Sequence, residues 1–173
     1  MKIRATLHVD GRSTALLVCP VMQETTEHVL LKLAAAVLFA KREPILSPSS
    51  QHPALRDQDF LPDLVHVNDH NEVTLWIECG GTTLHKMEKV AKRYRDARLI
   101  VLTATPVEGA TIKENLPQEP WNRWEIFAFP HGEFARWKQL IRESNDLIGE
   151  ADERSMNLVV NEEMYVMDLE TIG

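Results

Sequence analysis

The sequence contains few of the residues that mark several specialised classes of protein. Its 173 residues include only 2 cysteines, Cys19 and Cys79, which are too few and too far apart for a disulfide framework or a cysteine-based zinc site. Glycine (7) and proline (9) are scarce, which excludes a fibrous or low-complexity chain. Positive charge is also in short supply, because 19 lysines and arginines stand against 26 acids and give a formal net charge of −7. Any contact with nucleic acid therefore requires a local basic patch.

Long hydrophobic runs are missing as well. The longest apolar-rich run, residues 29–40, is interrupted by Lys32, and the first residues lack the apolar core of an export signal. The sequence also lacks G-x-x-x-x-G-K-[ST], G-x-G-x-x-G and G-x-S-x-G, so the common nucleotide-binding and hydrolase motifs give no lead. We expect a cytoplasmic protein with reduced thiols and no membrane contact, in which residues 1–173 form a single domain.

Strand and helix patterns alternate along the chain. Period-two alternation around Asp10-Gly11 predicts a hairpin, and apolar residues at helical spacing predict a buried face between Leu30 and Leu38. The predicted elements are, in chain order, a hairpin over 2–18, a helix over 25–40, a long surface loop over 45–61, a hairpin made of 64–67 and 73–79, a helix from 82 or 83 to about 97, a strand over 99–103, a loop over 107–120, a short strand over 124–129, a helix over 133–148 and a closing hairpin over 157–169. This order predicts an α+β fold with a mixed sheet.

Three acids occupy positions that these patterns predict to be buried. Glu27 extends the apolar stripe of the first helix backwards, Asp63 follows Pro62 at the start of a strand, and Glu78 lies near the end of the strand VTLWIEC. Each also has a structural interpretation, as a helix-dipole, turn or strand-end acid that reaches water. Pairing within the 64–79 hairpin places the start of its first strand beside the end of its second, so we expect Asp63 and Glu78 to converge. Buried carboxylates need a partner or a metal ion.

Converging carboxylates form a hard-oxygen site that suits Mg²⁺ and a phosphate substrate. The only basic patch of the chain follows directly, in the predicted helix over 84–98, which also matches an ordinary solvated face. We predict metal-assisted hydrolysis of phosphodiesters in nucleic acid, with Asp63 and Glu78 as metal ligands and Glu27 in support. The side chains expected to hold the nucleic-acid backbone are those of Lys92, Arg93 and Arg95.

Three segments in this order resemble the YaeQ family: ETTEHVLLKL at 24–33, PDL at 62–64 and LWIECG at 75–80. The C-terminal MNLVVNEEMYV is similar to the closing hairpin of that family. The resemblance implies a PD-(D/E)XK nuclease-like domain, with a restriction-endonuclease-like mixed sheet flanked by helices and additional N- and C-terminal hairpins. Gly80 stands where the nuclease motif has its catalytic lysine, and the resemblance implies a replacement from the following helix, with Lys89 as first choice and Lys86 as second.

Four other interpretations remain open at this point. The chain is a non-catalytic binding module if the loss of the motif lysine at Gly80 ended the chemistry, which the acidic net charge also favours. It is a protein-interaction domain if the tryptophan-rich segment 121–137 binds a partner. The residue types also allow two further chemistries. Asp63, His66, Asp69 and His70 could form a zinc cluster, and Cys79 with His85 could form a thiol nucleophile and its base.

Overall fold

Eleven strands and four helices make up the computed structural model, which describes residues 1–173. The strands are β1 (Ile3–Val9), β2 (Arg12–Val18), β3 (Ile45–Leu46), β4 (Leu64–Val67), β5 (Val73–Cys79), β6 (Arg98–Thr103), β7 (Trp124–Ala128), β8 (Ser144–Asp152), β9 (Ser155–Val160), β10 (Glu163–Asp168) and β11 (Glu170–Thr171). The helices are α1 (Thr26–Leu38), α2 (Leu84–Arg93), α3 (Pro106–Glu114) and α4 (Glu133–Leu140). The predicted α+β class is confirmed. No helix combines the length and the apolar composition that crossing a membrane requires.

The first sheet contains both predicted terminal hairpins. Its strand order is β10-β9-β8-β1-β2, and only β1 and β8 pair in parallel. Asp10 and Gly11 connect β1 to β2 with φ angles of +53° and +75°, the backbone that a two-residue hairpin turn needs. Asn161 and Glu162 connect β9 to β10 in the same way. Both hairpins are therefore confirmed.

The second sheet positions the predicted acids. Its order is β11-β7-β6-β5-β4-β3, with β5, β6 and β7 parallel and the outer strands antiparallel. The hairpin of β4 and β5 has the predicted bounds. β5 lies inside the sheet between β4 and β6, and helices cover both of its faces, so six of its seven residues are buried.

Helix α1 lies between the two sheets. Every residue from Val29 to Leu38 is buried, as expected for a core helix that is apolar all round. The hydroxyl of Thr25 caps it by accepting the His28 backbone N–H at 3.2 Å. Helix α2 packs on the opposite face of the second sheet through Met87, Val90 and Ala91, which share a core with Trp76.

Two predicted elements were wrong. Residues 107–120 were expected to be a loop, but α3 begins there because Thr105 caps the helix and Pro106, at the first helical position, favours a helix start. The predicted helix over 133–148 ends at Leu140, and the chain then forms β8. Pairing of Ser144 with Arg4 of β1 overrides the helical spacing, and Ile148, expected to be buried, is 51% exposed.

Candidate active site

The β4–β5 hairpin fixes the carboxylate of Asp63. Leu64 pairs with Ile77, so Asp63 lies beside Glu78, and its backbone N–H donates to the Ile77 carbonyl at 3.1 Å. Its Oδ2 accepts the backbone N–H of Cys79 at 2.7 Å. The register thus places the backbones of the two residues side by side, while the Asp63 carboxylate bonds to His28 of α1 and the Glu78 carboxylate bonds to Lys86 of α2.

Glu78 is a buried carboxylate with two protein donors. Its Oε1 accepts the indole N–H of Trp76 at 2.6 Å, and its Oε2 accepts the Lys86 ammonium at 2.8 Å. Burial raises the pKa of Glu78 to about 7; the positive charge of Lys86 lowers this pKa, and the negative charge of Asp63 raises it. The ionised form of Glu78 is therefore only partly compensated by its neighbours.

Lys86, the second choice from the resemblance, is the lysine that reaches Glu78. It also donates to the Leu61 carbonyl at 3.0 Å. Lys89, the first choice, points elsewhere and bonds to Asp59 Oδ2 at 2.9 Å. The reason is geometric, because α2 begins at Leu84 and Lys86 lies in the turn nearest the end of β5, whereas Lys89 lies almost one turn further along the axis.

Glu27 does not join the acidic pair, and this prediction was wrong. The cap at Thr25 places Glu27 in the exposed first turn of α1, where it complements the helix dipole. The side chains that face Asp63 belong instead to residues 24, 28 and 32. His28 Nε2 lies 2.8 Å from Asp63 Oδ1, and the Lys32 ammonium lies 3.0 Å from Glu24 Oε1.

These residues form a second charged layer that sequence reasoning missed. Lys32 is 1% exposed, and its ammonium is 4.0 Å from Asp63 Oδ1 as well as bonded to Glu24. The hydrogen bond to Asp63 raises the pKa of His28, and burial opposes that shift. Two signals pointed to this group: a lysine within an apolar stripe, and the spacing of four between His28 and Lys32, which aligns their side chains on one face of α1.

The structure supports neither the predicted zinc cluster nor the predicted thiol nucleophile. Among histidine, cysteine and acidic residues, the group whose ligand atoms all lie within 4.8 Å of one another consists of Glu24, His28 and Asp63. The alternative zinc cluster was wrong, because His66 bonds to Thr74 and His70 is exposed in the far turn. Cys79 is no nucleophile, since burial raises the pKa of its thiol well above the usual range.

Known proteins match this chain in structure. No family model and no curated protein matches the sequence. The solved structure of the YaeQ protein from Pseudomonas syringae is similar, with a TM-score of 0.75 and 13% identity over 99% of this chain and 95% of that one. The YaeQ protein from Xanthomonas axonopodis pv. citri gives a TM-score of 0.68 and 16% identity over 98% of this chain and 96% of that one. The chain has the YaeQ fold. The predicted resemblance is thus confirmed for the fold, which does not by itself fix the activity.

On this YaeQ fold the predicted backbone-binding residues lie on the outer surface of α2 and the turn after it. Lys92 bonds to Glu88 and lies 5.8 Å from the centroid of the Trp121 ring, and Arg95 lies 5.6 Å from the same ring. Arg93 donates to the Arg56 carbonyl at 3.1 Å. All three cations are exposed, and their contact with nucleic acid remains a prediction.

Proposed function

We propose that the chain hydrolyses phosphodiester bonds of nucleic acid at Asp63, Glu78 and Lys86 with the help of a divalent metal ion. The observation that carries the proposal is that two acids, Asp63 and Glu78, lie at neighbouring positions of the β4–β5 hairpin and that Glu78 bonds to the Lys86 ammonium at the end of β5. This residue set and its order along the chain correspond to the PD-(D/E)XK pattern that the sequence resembles. Lys86 takes the part of the motif lysine, whose position is occupied by Gly80.

The donor set fits Mg²⁺. Asp63 and Glu78 offer hard anionic oxygens from adjacent backbone positions, which is the ligand type this ion prefers. Lys86 and Trp76 compensate the buried charge of Glu78 only in part, so a further cation stabilises the ionised carboxylate. When bound, the ion supplies positive charge to the phosphate and acidifies a water molecule.

The side chains around the acids have distinct parts in this proposal. Lys86, 19% exposed and held by Glu78 and the Leu61 carbonyl, reaches the solvent side of the site. There its ammonium orients the attacking water and offsets charge that develops on the phosphate. His28 and Lys32 hold Asp63 from the α1 side and limit its rotation.

A cleavage assay tests the proposal. The purified protein is incubated with Mg²⁺ or Mn²⁺ and with single-stranded and duplex DNA and RNA, beside identically purified Asp63→Asn, Glu78→Gln and Lys86→Ala variants. Loss of a catalytic group of this kind lowers the rate by about 100-fold or more. Glu27→Gln is the matched control, because this exposed acid of the same region should leave cleavage intact. Cleavage that survives Asp63→Asn and Glu78→Gln would remove this site from the chemistry.

A second candidate, a binding module without hydrolysis, is favoured by one observation. All four carboxylate oxygens of Asp63 and Glu78 already have a donor or a cationic group of the protein within 3 Å. Calorimetry with Mg²⁺ separates the two candidates. Heat that disappears in Asp63→Asn supports hydrolysis, whereas no heat together with nucleic-acid binding supports the module.

A further inference from the structure

A groove with a volume of about 410 Å³ runs beside the candidate active site, between α2 and residues 57–60. Its apolar lining consists of Phe60 and Val90, and the rest of the wall is polar or charged. Phe60 stands at the end of the groove nearest the active site, because its ring centroid is 6.0 Å from the Lys86 ammonium.

Three cations of α2 face residues 56–61 in a regular row. Lys86 donates to the Leu61 carbonyl at 3.0 Å, Lys89 to Asp59 Oδ2 at 2.9 Å and Arg93 to the Arg56 carbonyl at 3.1 Å. Their spacing of three and four residues separates them by about 4.5 and 6 Å along the helix axis. The row thus runs along α2 up to Lys86, which contacts Glu78.

Taking the proposed phosphodiester chemistry as the starting point, we infer that this groove binds the single-stranded nucleic-acid segment next to the bond that is cut. Lys89 and Arg93 bind phosphates of that segment, and a base stacks on Phe60. The groove volume lies in the range of about 300–1,000 Å³ found for small-ligand sites, which suits a nucleotide. A duplex also concentrates the phosphates of two strands against a chain with a net charge of −7.

Asp59 competes with a phosphate for the ammonium of Lys89. Its carboxylate lies 2.9 Å from that ammonium, and both side chains are at least half exposed, so a phosphate can replace it readily. Removing Asp59 therefore frees Lys89 and strengthens binding, whereas removing Lys89 weakens it. If the ion pair were purely structural, the two substitutions would not change binding in opposite directions.

Fluorescence anisotropy of a labelled oligothymidylate in EDTA, where metal-dependent cleavage is off, measures this binding directly. We expect Lys89→Ala to weaken binding and to reduce the slope of log K against log salt by about 0.7, the value for one lost single-strand phosphate contact. Asp59→Asn should raise the affinity about two- to fivefold. Phe60→Leu should lower it about fivefold without changing the salt slope, since stacking carries no counterions. Lys138→Ala, an exposed lysine of α4, is the control and should change nothing.

The outcomes separate this inference from the proposed function. Duplex binding as tight as single-strand binding, or equal effects of Lys89→Ala and Lys138→Ala, overturns the groove even where cleavage depends on Asp63. Single-strand binding with the expected opposition between Asp59→Asn and Lys89→Ala supports the groove even where Mg²⁺ yields no cleavage, in which case the proposed function fails alone. Asp63→Asn should abolish cleavage and leave oligothymidylate binding in EDTA unchanged.

Discussion

Lys32 carries a full charge inside the protein, in the middle of the helix that joins the two sheets. Its ammonium is 3.0 Å from Glu24 Oε1 and 4.0 Å from Asp63 Oδ1, and the side chain is 1% exposed. The buried ammonium attracts both carboxylates and so holds them close to each other. The α1 side of the candidate site is therefore held by electrostatics within an apolar core.

Lys32→Met tests how strongly this pair holds the site. The methionine fills the space of the lysine stem but leaves Glu24, 9% exposed, without its cation. We expect the free energy of unfolding in urea to fall by about 3–5 kcal/mol, the usual cost of breaking a buried pair. The double variant Lys32→Met/Glu24→Gln should recover most of this loss, because both charges of the pair are then removed and His28 still contacts Asp63. Equal losses in the single and double variants would contradict the account.

The pH dependence of stability reports on Glu78. Burial raises its pKa from 4.5 to about 7, so the folded state binds this proton more tightly than the unfolded state. The resulting stabilisation is complete below about pH 4.5 and is lost as the pH rises through about 7. The free energy of unfolding of the wild type, relative to Glu78→Gln, should fall across this window. Urea unfolding of both proteins at several pH values measures it, and a constant difference would rule out the raised pKa.

Strand β8 comes very close to the backbone of β9 at Gly149. Gly149 of β8 has a φ of +147°, and a Cβ built there would lie 2.2 Å from the backbone oxygen of Asn157 in β9. The two strands can approach at this point only because no side chain intervenes.

Gly149→Ala should therefore destabilise the first sheet by about 1–3 kcal/mol, because the backbone of β9 must shift to make room. Thermal or urea unfolding measures the loss. Gly81→Ala is the matched control, since a Cβ at that position meets nothing within 4 Å. A loss in Gly81→Ala as large as that in Gly149→Ala would show that the close approach is not the cause.

The elements that the sequence predicted are those whose local pattern and tertiary environment agree. Asp10-Gly11 and the alternation in VTLWIEC specify hairpins by turn chemistry and period alone. The end of α4 could not be predicted in this way, because the spacing of Phe134, Trp137 and Ile141 continues to Ile148 while the parallel partner of β8 lies about 140 residues away in β1. The loop predicted over 107–120 missed α3 because Pro106, which ends a strand pattern, also favours a helix start.

The candidate site, like the fold, was predictable only where it depends on contacts local in sequence. Asp63 and Glu78 follow from hairpin register, which is local in sequence. The choice between Lys86 and Lys89 depends on where α2 begins relative to the end of β5, and the sequence left this start open between residues 82 and 83. Glu27 was preferred to its neighbours because the apolar stripe was extended backwards into the first turn of α1, which is exposed.

At the scale of the whole molecule, one ionic network joins the two sheets. The Arg98 guanidinium at the start of β6 contacts both carboxylate oxygens of Glu125 in β7, and it also contacts Glu153 in the turn between β8 and β9. Arg42, after α1, donates to Glu153 at 2.9 Å. Glu153 thus connects the first sheet to the second sheet and to the end of the central helix.

Arg98→Met should loosen this connection. The groups are partly exposed, so we expect a modest loss of about 1 kcal/mol in the free energy of unfolding, which shrinks as salt is added. Urea unfolding at low and high salt measures both effects. A loss that does not depend on salt would assign the role of Arg98 to packing of its stem instead of its charge.

The candidate site also stands out in the charge distribution of the whole molecule. The chain has a net charge of −7, but the cations of α2 form a local positive strip beside Glu78, on a fold shared with YaeQ proteins. The central proposal is that Asp63 and Glu78 hold a divalent metal ion beside Lys86. The most direct test is a crystal soaked in Mn²⁺ and measured at the manganese absorption edge. We expect an anomalous peak about 2 Å from carboxylate oxygens of both Asp63 and Glu78. No peak there, or a peak only between Glu24 and His28, would contradict it.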